Sequence, residues 1–365
     1  MKKRFRRITS ALLSAALMFG CVGFSASAEQ SNLSPDEQYI ALMEVIDWGE
    51  FDNHVDKVNA SQIPDYLLNQ MTTEQLVNAV LHYPYLIDML AYNTYEGGFQ
   101  AVLEDFNGLQ ELVKREGAAK LLSKHMETAP VILNTRSVNN DVLYDSIMQS
   151  MFLDVMLAQP EFVNQLSEQE FEEILAAVDE KIELQGTLPE TYSGSTGLFY
   201  KAMGEQIDTY TVNKIIKTPG GKDVTVREWT SSDKDWSAQE IAANGSYYHS
   251  RYPNAVFLQN STKRYNCHSY AWYSQTHNNN NYWIPNAVPY MTDGACRQIV
   301  SPSTGVRVYY DDGSYDKLED HSAYVVRVSS GVVTVVSKWG NMVLAEHTMA
   351  DCPYYNGRTL RYYKY

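Results

Sequence analysis

A cysteine and a histidine in the second half of the chain have the residue types and surroundings that covalent hydrolysis needs. Cys267 directly follows Asn266, whose side chain can cap a helix that begins at the cysteine. The dipole and the free N–H groups of a helix N-terminus stabilise a thiolate and lower the pKa of its thiol. The same N–H groups can hold a developing oxyanion. Cys267 is therefore the candidate nucleophile. The competing interpretation is a structural cysteine, either a buried thiol or one joined to Cys296 or Cys352.

His321 is the candidate base for this nucleophile, because a thiolate needs a group that orients it and then protonates the leaving amine. The residue precedes a run of strand-forming residues from Ser322 to Val328, so it stands at the start of a predicted strand. A sheet packed on the cysteine's helix would bring His321 to the thiol. His268 would point about 100° away from Cys267 on a helix and is a poorer base. Three more histidines of this half could serve as the base: His249, His277 and, in a strand-like segment, His347.

The first 28 residues have the order of a secretory signal peptide. Five Lys and Arg residues lie among the first seven, an apolar run covers 11–24, and Ala26-Ser27-Ala28 offers a small-x-small cleavage site. The apolar run is shorter than the ~20 residues of a membrane span. Lipid attachment at Cys21 is a weaker interpretation, since the residues before it match a lipid-attachment box poorly. We expect a secreted protein, extracellular or associated with the cell wall, with no membrane attachment after cleavage.

The mature chain would contain three cysteines, and an odd number in an exported protein leaves at least one thiol without an intrachain partner. Cys296 and Cys352 could form a disulfide in an oxidising compartment, and the sequence leaves this pairing open. No C-x-x-C pair offers a zinc site, so we expect neither a metal nor a cofactor.

The charge distribution divides the chain into two parts. The formal net charge is −15, which excludes a generally basic nucleic-acid-binding protein. Residues 29–190 contain 29 acidic and 7 basic residues, whereas 191–365 contain 15 and 17. Such an asymmetry indicates two domains.

The acidic part is predicted to be an all-α helical bundle over 29–185. Capping-box signals at Ser34, Thr72 and Ser167 each precede apolar residues at helical spacing, and a further helical segment runs from Val142 to Pro160. The Gly- and Ser-rich stretch 186–200 is the predicted linker. Over 201–365, short β-branched runs and a hairpin at Pro219 predict an α+β domain with a small antiparallel sheet.

The cysteine and histidine motifs resemble those of papain-like cysteine amidases and peptidases of bacterial cell walls, the CHAP class (cysteine, histidine-dependent amidohydrolases/peptidases). The likeness covers about residues 255–345: a helix-starting Cys, Asp320-His321-Ser322 at a strand start, and a following strand from Thr334 to Lys338. It implies a papain-like fold with Cys267 as nucleophile and His321 as base. The polar residue that orients the histidine in this class has no clean equivalent. Asn341 is the nearest amide and Ser337 the nearest hydroxyl.

We therefore expect an exported cysteine hydrolase that cleaves amide bonds through an acyl-enzyme, with a peptide or peptidoglycan-like substrate. The alternative is a non-catalytic protein on the same fold that binds the cell wall or a partner. Transfer of the acyl group to an amine, as in transpeptidation, would use the same thiol and histidine.

Overall fold

The computed structural model describes residues 33–128, 139–205, 212–313 and 320–365. The predicted signal peptide lies outside these residues. Among the helices that are described, none combines the length and the apolar character required to cross a bilayer.

Helices fill the N-terminal part of the chain, and three of them begin where the capping boxes predict. Thr72 and Gln75 exchange side chain–backbone hydrogen bonds of 2.9 and 3.2 Å. Ser167 and Glu170 do the same at 3.0 and 3.3 Å. The helices are α1 Pro35–Glu44, α2 His54–Ala60, α3 Asp65–Leu68, α4 Thr73–Leu81, α5 Tyr95–Asp105, α6 Asn107–Leu112, α7 Ala118–Thr128, α8 Asn140–Leu157, α9 Pro160–Val163, α10 Glu168–Gly186 and α11 Leu198–Tyr200, and the 3-10 turns are Trp48–Glu50 and Leu86–Leu90.

The C-terminal part is built on antiparallel sheet. A three-stranded sheet has the order β1-β2-β4, and a seven-stranded sheet has the order β3-β9-β8-β7-β6-β10-β5. The strands are β1 Val212–Lys217, β2 Asp223–Glu228, β3 Val256–Gln259, β4 Tyr282–Trp283, β5 Arg297–Ile299, β6 Arg307–Asp311, β7 His321–Ser329, β8 Val332–Lys338, β9 Leu344–Thr348 and β10 Thr359–Lys364, and helices α12 Ala238–Arg251 and α13 Val288–Met291 lie between strands. The main sheet is larger than the small sheet predicted, because it also contains β3, β5 and β10, whose pairing partners lie far along the chain.

The two faces of the seven-stranded sheet pack on different partners. Tyr310, Ala323 and Val325 belong to a large hydrophobic cluster that also contains the helices of the N-terminal part. Trp272 and Tyr309 belong to a separate cluster on the other face. The sheet therefore lies between the helical part and the segment that carries Cys267.

Polar contacts reinforce this shared core. The ammonium of Lys57 on α2 lies 2.6 Å from a carboxylate oxygen of Asp351, and both side chains are buried. Tyr252 donates a 2.7 Å hydrogen bond to Asp88. The helices and the sheet are thus joined by buried charged and polar groups as well as by apolar packing.

The stretch predicted as a linker is ordered against α12. The buried carboxylate of Glu240 accepts hydrogen bonds from the backbone N–H groups of Ser193, Gly194 and Ser195 at 3.3, 3.0 and 2.7 Å. Thr191 and Ser195 are themselves buried.

Candidate functional site

Cys267 begins a short helical turn, as the sequence predicts. The backbone is helical from Cys267 to Tyr273, and its last five residues form a π-turn. The Asn266 side-chain oxygen accepts from the Ser269 N–H at 3.2 Å, which is the predicted cap. The Asn266 amide also donates to the Ile284 carbonyl at 2.8 Å. The nucleophile candidate is therefore held by a fixed backbone.

The thiol of Cys267 is enclosed, with 1% of the residue exposed. Burial raises the pKa of this thiol to about 12, although the backbone N–H groups of Ser322 and His268 and the charge of Lys338 act in the opposite direction. The predicted lowering of the Cys267 pKa is thus wrong for this conformation, because desolvation of the thiolate outweighs the helix N-terminus. Cys267, Cys296 and Cys352 are all free thiols.

His321 is the first residue of β7 and is also buried. Its ring stacks on Tyr354, with centroids 3.6 Å apart and planes 6° apart, and it meets the edge of Tyr310 at 5.2 Å. Neither ring nitrogen has a hydrogen-bond partner among the described residues. Burial holds the pKa of His321 well below its ordinary value, so the ring is neutral.

The start of β7 contacts the thiol of Cys267 through the backbone N–H of Ser322, but the imidazole of the preceding residue, His321, is not joined to it. Successive side chains of a strand point to opposite faces. Ser322 faces the cysteine's turn, where its hydroxyl accepts from the Trp272 indole N–H at 2.9 Å and lies 2.8 Å from Nδ1 of His268. His321 points to the other face, and the expected Cys267–His321 hydrogen bond is not formed.

His268 is a second buried imidazole beside the thiol. The Ser322 hydroxyl can donate its proton to Nδ1 of His268 or accept a hydrogen bond from it. The buried Nε2 of His268 has no hydrogen-bond partner among the described residues. Burial lowers the pKa of His268 to about 3.

The two candidate orienting residues do not contact the imidazole nitrogens of His321. Asn341 lies buried in the β8–β9 turn, where its backbone carbonyl accepts a hydrogen bond from the Trp236 indole N–H at 2.9 Å. The Ser337 hydroxyl is engaged by Nε2 of His347 at 2.8 Å and by the indole N–H of Trp339 at 3.1 Å.

The other three candidate histidines do not have surroundings that suit a catalytic base. His347 is buried on β9 and its Nδ1 lies 2.8 Å from the Thr348 carbonyl oxygen. His249 is exposed and His277 is half-buried. None of these three histidines is a better candidate for the base than His321 or His268.

Lys338, which sequence reasoning had not assigned a role, is a buried cation near the thiol. Its ammonium donates to three backbone carbonyls at 2.6–2.8 Å, those of Met342, Gly340 and Thr262. Burial lowers the pKa of Lys338 to about 7, while the nearby Asp235 and Cys267 act to raise it. The residue occupies the strand where the resemblance would place the orienting group.

Asn93, from the helical part, reaches the same site. Its amide donates to the Asp320 carbonyl at 3.2 Å, and its side-chain oxygen accepts from the Asn266 amide at 3.3 Å. It therefore contacts the residue before His321 and the residue before Cys267. A contact between residues 173 positions apart leaves no local pattern in a single sequence.

Three carboxylates near the start of β7 have oxygens within 4.8 Å of one another: Asp311, Asp312 and Asp320. Arg361 pairs with Asp311, and Arg358 lies 3.1 Å from Asp312. These guanidinium groups balance much of the negative charge. Among the described residues, Cys267, His268 and His321 do not form a comparable group of metal ligands.

Comparison of the chain with known protein families, with curated proteins and with solved structures gives no match.

Proposed function

We propose that the protein is an exported cysteine hydrolase of amide bonds, of the papain-like CHAP class, that acts on cell-wall peptides and is closed in the described conformation. One observation supports this proposal above the others. The sulfur of a helix-starting cysteine lies against backbone N–H groups that include those of His268 and Ser322. The residue before Ser322 is a strand-start histidine with no hydrogen-bond partner among the described residues.

In this proposal the Cys267 thiol gives its proton to His321 and its sulfur attacks the carbonyl carbon of the scissile amide. The N–H groups of Ser322 and His268 would stabilise the oxyanion. The imidazolium then protonates the leaving amine, and a thioester remains on Cys267. Water, deprotonated by His321, attacks the thioester and releases the carboxylic acid and the free thiol.

The active conformation must differ from the described one in two respects. The thiol needs access to substrate, and an imidazole nitrogen must come within about 2.6–3.2 Å of its proton, with looser geometry in the absence of substrate. Because His321 points to the opposite face of β7 from the cysteine's turn, the second requirement needs a local rearrangement at the start of that strand, with release of the ring from its stack on Tyr354.

Activity is tested with the mature chain, residues 29–365, on purified peptidoglycan and on synthetic wall peptides. New amino groups should be released, and Cys267→Ala should lower the rate by at least 10³-fold because the nucleophile is lost. Cys296→Ala is the matched control and should keep the wild-type rate. Equal rates for wild type and Cys267→Ala would reject the hydrolase.

A non-catalytic wall- or partner-binding protein on the same fold is the second candidate, favoured by the burial of both Cys267 and His321 and by the missing hydrogen bond between them. In this case the protein should sediment with insoluble wall material, and Cys267→Ala should bind as tightly as wild type. Release of fragments by wild type alone would exclude this candidate.

A further inference from the structure

Residues 91–93, which we call the covering segment, follow the 3-10 turn Leu86–Leu90 and cross from the helical part to the candidate site. All three residues are buried. Ala91 contacts the β8–β9 turn and Tyr354, and Asn93 contacts the residues before Cys267 and His321, so the segment is held at both ends.

The first anchor is a close backbone approach. Gly340 has φ +47°, and a Cβ atom added there would lie 2.2 Å from the Ala91 carbonyl oxygen. Only a glycine lets the β8–β9 turn come so near to the covering segment.

The second anchor passes through the ring that holds His321. The Tyr354 hydroxyl donates to the Ala91 carbonyl, and the Tyr354 ring stacks on His321. Tyr92 donates at 2.8 Å to the Pro353 carbonyl, so the covering segment also fixes the residue before Tyr354.

The third anchor is the Asn93 side chain, which hydrogen-bonds to the residue before the nucleophile and to the residue before the base. Both halves of its amide are used in this way. A substrate amide would need access to the same place between Cys267 and His321.

We propose that the covering segment is an autoinhibitory strap that closes the Cys267–His321 site. The Asn93 amide is the latch of the strap, and Tyr354, which is hydrogen-bonded to Ala91, holds the His321 ring in its stacked position. This proposal rests on the proposed hydrolase function for its purpose. Its structural content, that local displacement of residues 91–93 exposes Cys267, can be tested without any assay of activity.

Two substitutions loosen the strap from different ends. Asn93→Ala removes both latch hydrogen bonds, and Gly340→Ala places a methyl group against the Ala91 carbonyl. Asn254→Ala is the control for the first, since Asn254 also bridges the two parts, with bonds of 3.0 and 3.2 Å to Gly49 and Phe51 carbonyls. Gly357→Ala is the control for the second, because Gly357 has φ +66° but nothing within 4 Å of an added Cβ.

The readout is the rate at which iodoacetamide labels each of the three thiols, followed by peptide mass spectrometry under native conditions. Cys296 is partly exposed and serves as the internal standard for the reagent. Cys352 is buried but directly precedes Pro353, which Tyr92 holds, so the global stability of each variant is measured separately by urea unfolding. We expect Asn93→Ala and Gly340→Ala to raise the rate of Cys267 labelling on the order of tenfold relative to Cys296, as loss of about two hydrogen bonds allows. The two controls should leave this ratio unchanged.

An unchanged ratio in both strap variants, or an acceleration of Cys267 no larger than the measured loss of global stability produces, would overturn the strap. Faster Cys267 labelling together with faster hydrolysis of wall peptides would support both proposals. Faster labelling with no hydrolysis would support the strap and reject the hydrolase. Full hydrolysis by wild type, with Cys267 still protected from the reagent, would support the hydrolase and overturn the strap.

Discussion

Burial decides the protonation states of single residues in this protein. His54, His268 and His347 are all enclosed, and burial lowers their pKa values to about 3, 3 and 4. His347 has the best-defined environment, because its Nδ1–H donates to the Thr348 carbonyl and its Nε2 accepts from Ser337. A proton added at Nε2 would meet the donors of Ser337 and Trp339.

His347 should therefore make the folded state sensitive to acid. In the unfolded chain it binds a proton below about pH 6.5, but in the folded state only near pH 4. Its contribution to the free energy of unfolding is thus fully present above pH 6.5 and is lost as the pH falls towards 4. We expect His347→Asn, which keeps a donor near the Nδ1 position, to flatten the decline of stability from pH 6.5 to 4 by up to about 1.4 kcal/mol per pH unit.

Urea unfolding at intervals of half a pH unit measures this slope, with the exposed His249→Asn as the control. If the His347→Asn and wild-type slopes coincide, His347 is not held neutral by the fold.

At the scale of elements, a buried ion pair docks α2 on the loop between β9 and β10. Burial lowers the pKa of Lys57 and raises that of Asp351, while each charge partly offsets the shift of the other. The Lys57 ammonium also lies 4.6 Å from the centre of the Tyr252 ring. Removal of one member would leave the other charge buried without its partner.

Lys57→Met should accordingly lower the free energy of unfolding by about 3–5 kcal/mol. The double variant Lys57→Met with Asp351→Leu should recover most of this loss, because no lone charge remains. Lys120→Met is the matched control: Lys120 pairs with Glu170 but is 72% exposed, so its loss should cost less than about 1 kcal/mol. A double variant as unstable as Lys57→Met alone would show that packing, and not charge, sets the effect.

Helix starts and single turns were the elements most open to prediction. Ser34, Thr72 and Ser167 begin helices because each forms a capping box with a residue three positions on, a wholly local arrangement. The turn after β7 is equally local, because Ser330 and Gly331, next to each other in the chain, adopt φ of 51° and 82° there. The edge strands β3 and β5 escaped prediction because their pairing partners lie far along the chain.

At the scale of the whole molecule, the helical part and one sheet face share a continuous hydrophobic cluster. The fragment 201–365 by itself would expose that face of the sheet to water. Burial of this apolar area makes folding of each part depend on the other.

We therefore expect one cooperative unfolding transition in calorimetry, with equal van't Hoff and calorimetric enthalpies. The isolated fragment 201–365 should lack the native near-ultraviolet circular dichroism. Two separated transitions, or a fragment with native dichroism, would show instead that the two parts are independent domains.

The sequence by itself determined the local chemistry of this protein: the cap at Asn266, the helix-starting thiol of Cys267, and the strand that begins at His321. These follow from interactions among residues a few positions apart. Only the tertiary structure decided that Asn93 bridges the segments of the thiol and the imidazole and that the His321 ring stacks on Tyr354. Burial and long-range contacts depend on how distant segments pack, and that packing sets the dielectric and the hydrogen-bond partners that fix the protonation of both groups.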